Sequence, residues 1–214
     1  MTMILSWFGL SCSHGPVAEN ASTPLEVRGL KNAAFYRQIS DDDTRAVALF
    51  EEAGKVLLHP RCVNCHPATS SPLQTDAQYV HRPPVQRGSE GRGIAGMKCS
   101  TCHFAENVPT GERSVPGHPH WHLAPASMAW EDQSLADICA QLKDLERNGE
   151  RTLQDITSHM ATDGLVGWGW NPGRGRASVP GTQEIFGGLI RAWVEAGAAC
   201  PSDEELARAQ SMAE

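Results

Sequence analysis

Apolar positions recur at helical spacing in four stretches of the chain, and between them the pattern is polar or broken. In "SDDDTRAVALFEEAGKVLLHP" Ala46, Val47, Leu49, Phe50, Ala53, Val56 and Leu57 share a face. Acidic residues stand at its start, where free N–H groups need acceptors, and Pro60 closes the run. "SLADICAQLKDLERNG" puts Leu135, Ile138, Cys139, Leu142 and Leu145 on one stripe, with Ser134 as cap and Gly149 as stop. The shorter "RTLQDITSHMA" carries Leu153, Ile156 and Met160 on a face. "TQEIFGGLIRAWVEAGAACP" carries Ile185, Phe186, Leu189, Ile190, Trp193 and Val194 and stops at Gly197 before Pro201. No alternating strand or hairpin pattern stands out, so the expected class is mainly α with long loops.

The loops are unusual in length. Residues 67–98 are rich in Pro, Gly, Ser and Gln, and "NVPTGERSVPGHPHWHLAPAS" is rich in proline and holds His118, His120 and His122. Loops this long are uncommon in a compact domain unless they have work to do, and wrapping a large rigid ligand would be such work. The expected division is a leader over residues 1–38, one domain over 39–201 and a tail over 202–214.

Two short motifs sit at the edges of these loops: Cys62-Val63-Asn64-Cys65-His66 and Cys99-Ser100-Thr101-Cys102-His103. Zinc ribbons put about 15–20 residues between two C-x-x-C pairs, whereas 33 separate Cys65 from Cys99, and zinc would leave the repeated histidine unexplained. A redox dithiol needs one motif and a βαβ context. Covalent haem accounts for every fixed letter: the thiols add across the porphyrin vinyl groups and the following histidine becomes the proximal iron ligand. From the Cys and His content, chance matches to C-x-x-C-H are expected about 0.01 times per chain, so two are not accidental. The 37-residue interval between Cys62 and Cys99 is too short to hold a separate cytochrome domain. Both haems are therefore expected in one cytochrome c-like multihaem fold, close together, with irregular Pro/Gly-rich loops around them.

The cofactor expectation is thus two covalently bound haem c, attached through Cys62, Cys65, Cys99 and Cys102 with His66 and His103 as proximal ligands. The opposite side of each iron takes imidazole or thioether. The candidates are His81, in "YVHRPPVQRG", and His122, His120 or Met128, in "HPHWHLAPASM". His59 and Met97 lie too near their own motifs to reach over the same haem, and His159 and Met160 read as a surface histidine beside a core methionine. Arg82, Arg87, Arg92, Arg174 and Arg176 are either propionate partners or solvated loop charges. Trp168 and Trp170 are haem covers or core plugs. "GRGIAG" matches a dinucleotide fingerprint literally, but Pro83-Pro84 precede it where a strand is needed, so turn chemistry is the better account.

Charge and cysteine content narrow the setting. The formal net charge is −7 and basic residues are scattered, which excludes a nucleic-acid surface. Of seven cysteines, Cys139 and Cys200 read equally as a disulfide or as two buried thiols. "MTMILSWFGLSCSHG" has a short apolar run and no basic residue before Arg28, so the first residue is expected to lie inside a longer signal sequence. Leu10-Ser11-Cys12 faintly resembles a lipoprotein cleavage site, which would make Cys12 a membrane anchor; the other reading is an ordinary leader.

With the motifs in place, "HPRCVNCHP", "HRPPVQRG", "GRGIAGMKCSTCH", "HPHWHLAPASM" and "WGWNPGRGR" resemble the bacterial dihaem cytochrome c family often labelled isoquinoline 1-oxidoreductase subunit. The resemblance runs from about residue 45 to Pro201. It implies an exported, periplasmic electron carrier or electron-transfer subunit with no substrate chemistry of its own. Its implied redox partners are a molybdenum hydroxylase as donor and a respiratory cytochrome as acceptor. The alternative is a dihaem enzyme of peroxidase or small-ligand-reducing type, which requires one iron with an open distal site.

Overall fold

Seven helices order the described residues of the computed structural model, which are residues 26–211. They are α1 (Asp42–Leu57), α2 (Pro60–Val63), α3 (Leu135–Lys143), α4 (Leu153–Thr162), α5 (Gly164–Gly167), α6 (Gln183–Glu195) and α7 (Asp203–Ser211). Cys12 and the expected signal and lipidation features lie outside the described residues.

The long helices start where side chains can take their free N–H groups. Asp41 accepts from the Thr44 amide at 2.8 Å at the head of α1. Capping boxes, Ser134 with Asp137 and Thr152 with Asp155, open α3 and α4. Two ends differ from the sequence reading. α1 stops at Leu57, and Pro60 is the first residue of α2, where its missing N–H costs nothing. α3 stops at Lys143, short of Gly149, because Asn148 closes a turn: its Nδ2 donates to the carbonyls of Leu142 (2.8 Å) and Arg151 (2.9 Å). Leu145 is consequently exposed and does not join the stripe.

Four separate antiparallel hairpins also form, pairing Glu26–Val27 with Leu30–Lys31, Leu73–Gln74 with Tyr79–Val80, Gly93–Ile94 with Met97–Lys98, and Val108–Thr110 with Arg113–Val115. None was expected, since ladders of two or three residues are too short to show alternation. "GRGIAG" supplies the third of them, with Ala95-Gly96 as its turn.

The core gathers around α6, which packs against both α1 and α4. Phe50 and Trp193 rings lie 4.8 Å apart, and Leu49, Ala53, Leu189 and Ile190 around them are buried. Gly187 allows the α4 contact: a Cβ there would stand 2.5 Å from the Ala161 Cβ. Cys139 and Cys200 form a disulfide that ties α3 to the segment after α6. Residues 26–38, expected as a lead-in, belong to this body. Leu30 is fully buried, and the buried Glu52 carboxylate accepts from the Lys31 amide, the Tyr36 hydroxyl and Lys55 Nζ, each at 2.8 Å. Burial pushes Glu52 up, but those three donors outweigh it and hold the carboxyl below its ordinary range. The expected tail carries α7. No helix of the described residues is long and apolar enough to cross a membrane.

Candidate functional site

Each C-x-x-C-H motif is a single helical turn. α2 begins at Pro60 and delivers Cys62, and turn hydrogen bonds from Cys65 N to Cys62 O (3.0 Å) and from His66 N to Val63 O (2.9 Å) continue it. Cys99–Thr101 form a 3-10 turn, with Cys102 N (3.2 Å) and His103 N (2.9 Å) both donating to the Cys99 carbonyl. A three-residue step within one turn sets both thiols of a motif on the same side, with the histidine just beyond.

The two histidines are held alike. Nδ1 of His66 lies 2.7 Å from the Met128 carbonyl, and Nδ1 of His103 lies 2.7 Å from the Pro116 carbonyl. A carbonyl can only accept, so the proton sits on Nδ1 and the lone pair on Nε2, the form that ligates a metal. Each ring also stacks on a tryptophan, His66 on Trp130 at 3.6 Å between centroids and His103 on Trp121 at 4.8 Å. Burial lowers the His66 pKa to about 4, despite the opposing pull of the Met128 carbonyl, and lowers that of His103 for the same first cause. Both imidazoles are neutral at physiological pH.

One segment, residues 116–131, serves both motifs. Pro116 holds His103 and Trp121 backs it; Leu123 N donates to the Gly91 carbonyl at 2.9 Å; Ala124 N donates to the Cys65 carbonyl at 3.0 Å; Met128 and Trp130 then hold His66. Its entry is tight. A Cβ on Gly117 would meet the Glu106 carbonyl at 2.1 Å. Asn107 Oδ1 clamps this corner by accepting from Gly117 N (3.1 Å) and from Trp168 Nε1 (2.9 Å). Trp168 in turn packs edge-on against Trp121 at 4.9 Å, so it supports the His103 stack, whereas Trp170 joins Phe186 in the core.

The same tautomer logic sorts the remaining histidines. Nδ1 of His81 donates to the Pro83 carbonyl at 2.9 Å, and Nδ1 of His122 donates to the His120 carbonyl at 2.5 Å, so both keep Nε2 free. His159 directs Nδ1 at Asp163 Oδ2, 3.4 Å away. His59 and His118 do the reverse. Their Nδ1 atoms accept from the amides of Arg61 (3.1 Å) and His120 (3.2 Å), which places the proton on Nε2 and removes them as Nε2 ligands. His120 is exposed.

Two groupings result. The His81 and His103 ring centroids are 6.0 Å apart. His159 is near enough to His66 and to His122 for their charges to be felt. Met128 is placed differently from a thioether ligand: its side chain belongs to the core cluster, and what reaches His66 is its carbonyl, at the ring edge away from Nε2. Of the arginines read as propionate partners or solvated loop charges, Arg87 is committed to the carbonyls of Ala124, Pro67 and Thr69, and Arg174 to Gly111. Over the second motif lies an open groove of about 700 Å³ lined by Arg92, Lys98, Ser100, His103, Phe104 and Trp121.

The thiols of the first motif do not suit a redox dithiol. Burial pushes Cys62 up to about 12 and Cys65 up to about 11, where a reactive pair needs a lowered value. Among the described residues no three or more His, Cys, Asp or Glu side chains converge as a tetrahedral zinc site requires. The donor set does fit two c-type haems, which call on paired thiols and single, neutral, oriented imidazoles. Sequence reasoning missed the carbonyls of Pro116, Met128 and Pro83 and the stacking tryptophans. A backbone acceptor has no letter in a sequence.

Comparison with family models, curated proteins and solved structures found no match.

Proposed function

We propose that the chain is a dihaem c-type cytochrome that passes single electrons outside the cytoplasm, as a carrier or as the electron-transfer subunit of a dehydrogenase. The observation that carries this reading is the close approach of His81 and His103, 6.0 Å between ring centroids, each with its Nδ1 proton committed to a carbonyl. Two imidazoles with unprotonated Nε2 atoms are the donors that a six-coordinate haem iron would call on. Cys99, Cys102, His103 and His81 would hold one haem; Cys62, Cys65 and His66 would hold the other, with His122 or His159 opposite. Bound haem supplies a one-electron couple at iron. The Met128 and Pro116 carbonyls and the stacked Trp130 and Trp121 orient His66 and His103. The Cys139–Cys200 disulfide suits an oxidising compartment such as the periplasm. On the family resemblance, a molybdenum hydroxylase is the donor and a respiratory cytochrome the acceptor.

Expression with haem-maturation machinery tests the reading. Two covalent haems per chain and low-spin EPR signals are expected, and a chain carrying no covalent haem would overturn it. His81→Ala should retain both haems yet change the spectrum of one; two unchanged signals would remove His81 as a ligand. Rapid binding of carbon monoxide by the wild-type protein would favour the enzyme alternative.

A further inference from the structure

Arg61 stands directly before Cys62, and its side chain is only 2% exposed. One Nη contacts Asp76, which is more than half exposed, while its buried Nε has no hydrogen-bond partner. Orphaned donors of this kind are rare in a folded chain, and on a guanidinium they are costly. Arg61 also lies beside Gly169. A few residues on, the Pro172 carbonyl accepts from Arg176 Nη1 at 3.3 Å.

Arg176 spends its other contacts on Ser114, at 3.1 Å to Oγ and 2.7 Å to the carbonyl. All of these oxygens are uncharged. Ser114 is two residues from Pro116, whose carbonyl holds His103. Arg176 is thus felt electrostatically by both Arg61 and His103, and Arg113 adds a third positive charge beside it. Against these three cations, among the described residues, only Asp76 forms an ion pair, and it reaches Arg61 alone. The seam between the motifs therefore carries an uncompensated positive charge and an unpaired buried donor, the combination that recognises a carboxylate.

We infer that Arg61 and Arg176 form an anion cradle at the seam between the two motifs that takes a haem propionate carboxylate. The inference rests on the dihaem reading. It assigns Arg61, which stands outside the long loops, a role that Arg87, committed to three carbonyls, does not have. It also makes the cradle a setting for potential, because a fixed positive charge near a haem disfavours the oxidised, more positive iron.

The test uses the haem-loaded full chain. Covalent haem content is measured first; its absence in the wild-type protein would overturn the dihaem reading and the cradle with it, whereas unaltered variants of a loaded protein would overturn the cradle alone. In the loaded protein, Arg61→Gln and Arg176→Gln should each shift the propionate bending band in the resonance Raman spectrum. Each should also lower the midpoint potential of one haem, by about tenfold in the oxidised-to-reduced ratio, or about 59 mV. Arg61→Lys, which keeps the charge but loses Nε, should retain most of the potential while shifting the band. Variants that carry two haems with wild-type bands and potentials would overturn the cradle. So would loss of haem from Arg61→Gln combined with unchanged bands in Arg61→Lys and Arg176→Gln.

Discussion

The behaviour of His66 shows how one hydrogen bond and one buried ring prepare a side chain for a ligand. Its Nδ1 proton is held by the Met128 carbonyl, Trp130 stacks on its face, and burial keeps the ring neutral down to about pH 4. The sign of the linkage follows. Between the ordinary histidine value of about 6.5 and about 4, the unfolded chain binds a proton at His66 that the folded chain refuses. Stability is thus present above about pH 6.5 and lost as pH falls towards 4. His103 and His159, also lowered chiefly by burial, act in the same direction. Urea unfolding of the haem-free chain should show a fall on the order of 3 kcal/mol between pH 7 and 4.5, and His66→Gln should flatten part of it. A pH-independent midpoint over that range would contradict the burial assigned to these rings.

At the scale of elements, the packing of α6 decides where the first motif sits, because it braces α1, whose end leads into α2, and α4, which carries His159. Gly187 puts two opposing effects in competition. Ala is the better helix former by about 1 kcal/mol in an open helix. Here its Cβ would stand 2.5 Å from the Ala161 Cβ and 2.7 Å from its Cα. Both obstacles belong to short, rigid groups, so α4 and α6 must separate, at a cost of roughly 1–3 kcal/mol for overpacking. Gly187→Ala is expected to lower stability in denaturant titration, and a gain would mean that α4 and α6 are not so closely packed. The helix faces and caps were legible from spacing and from Ser134, Thr152 and Asp41. The end of α3 was not, since it depends on Asn148 reaching back to the Leu142 carbonyl.

For the molecule as a whole, two fastenings set the extent of the domain. The Cys139–Cys200 bridge closes a loop with a sequence separation of 61 residues. The chain-entropy model assigns such a loop about 4 kcal/mol, so Cys200→Ser should lower stability by about that amount and make the protein insensitive to added thiol reductant. Equal stability with and without the bridge would show that the helical core alone closes this loop. The second fastening is Glu52, which gathers Lys31 and Tyr36 onto α1. Removing residues 26–38 would take Leu30 out of the core and leave the buried Glu52 carboxylate short of two donors, so the shortened chain should fail to show a cooperative unfolding transition.

Read along the chain alone, the repeated C-x-x-C-H and its 37-residue interval already carried the haem expectation and its count, because covalent attachment demands fixed letters at fixed spacing. The helix faces were equally visible, since burial imposes a period on side chains. Three things needed the folded backbone. The pairing of Cys139 with Cys200 depends on a Cα separation of 5.7 Å across 61 residues. The sorting of His81 and His122 from His59 and His118 depends on whether each Nδ1 faces a carbonyl or an amide. The joining of both motifs by residues 116–131 depends on backbone contacts to Gly91 and Cys65. All three rest on main-chain atoms or distances that every residue type shares, and such contacts exist only once distant segments meet.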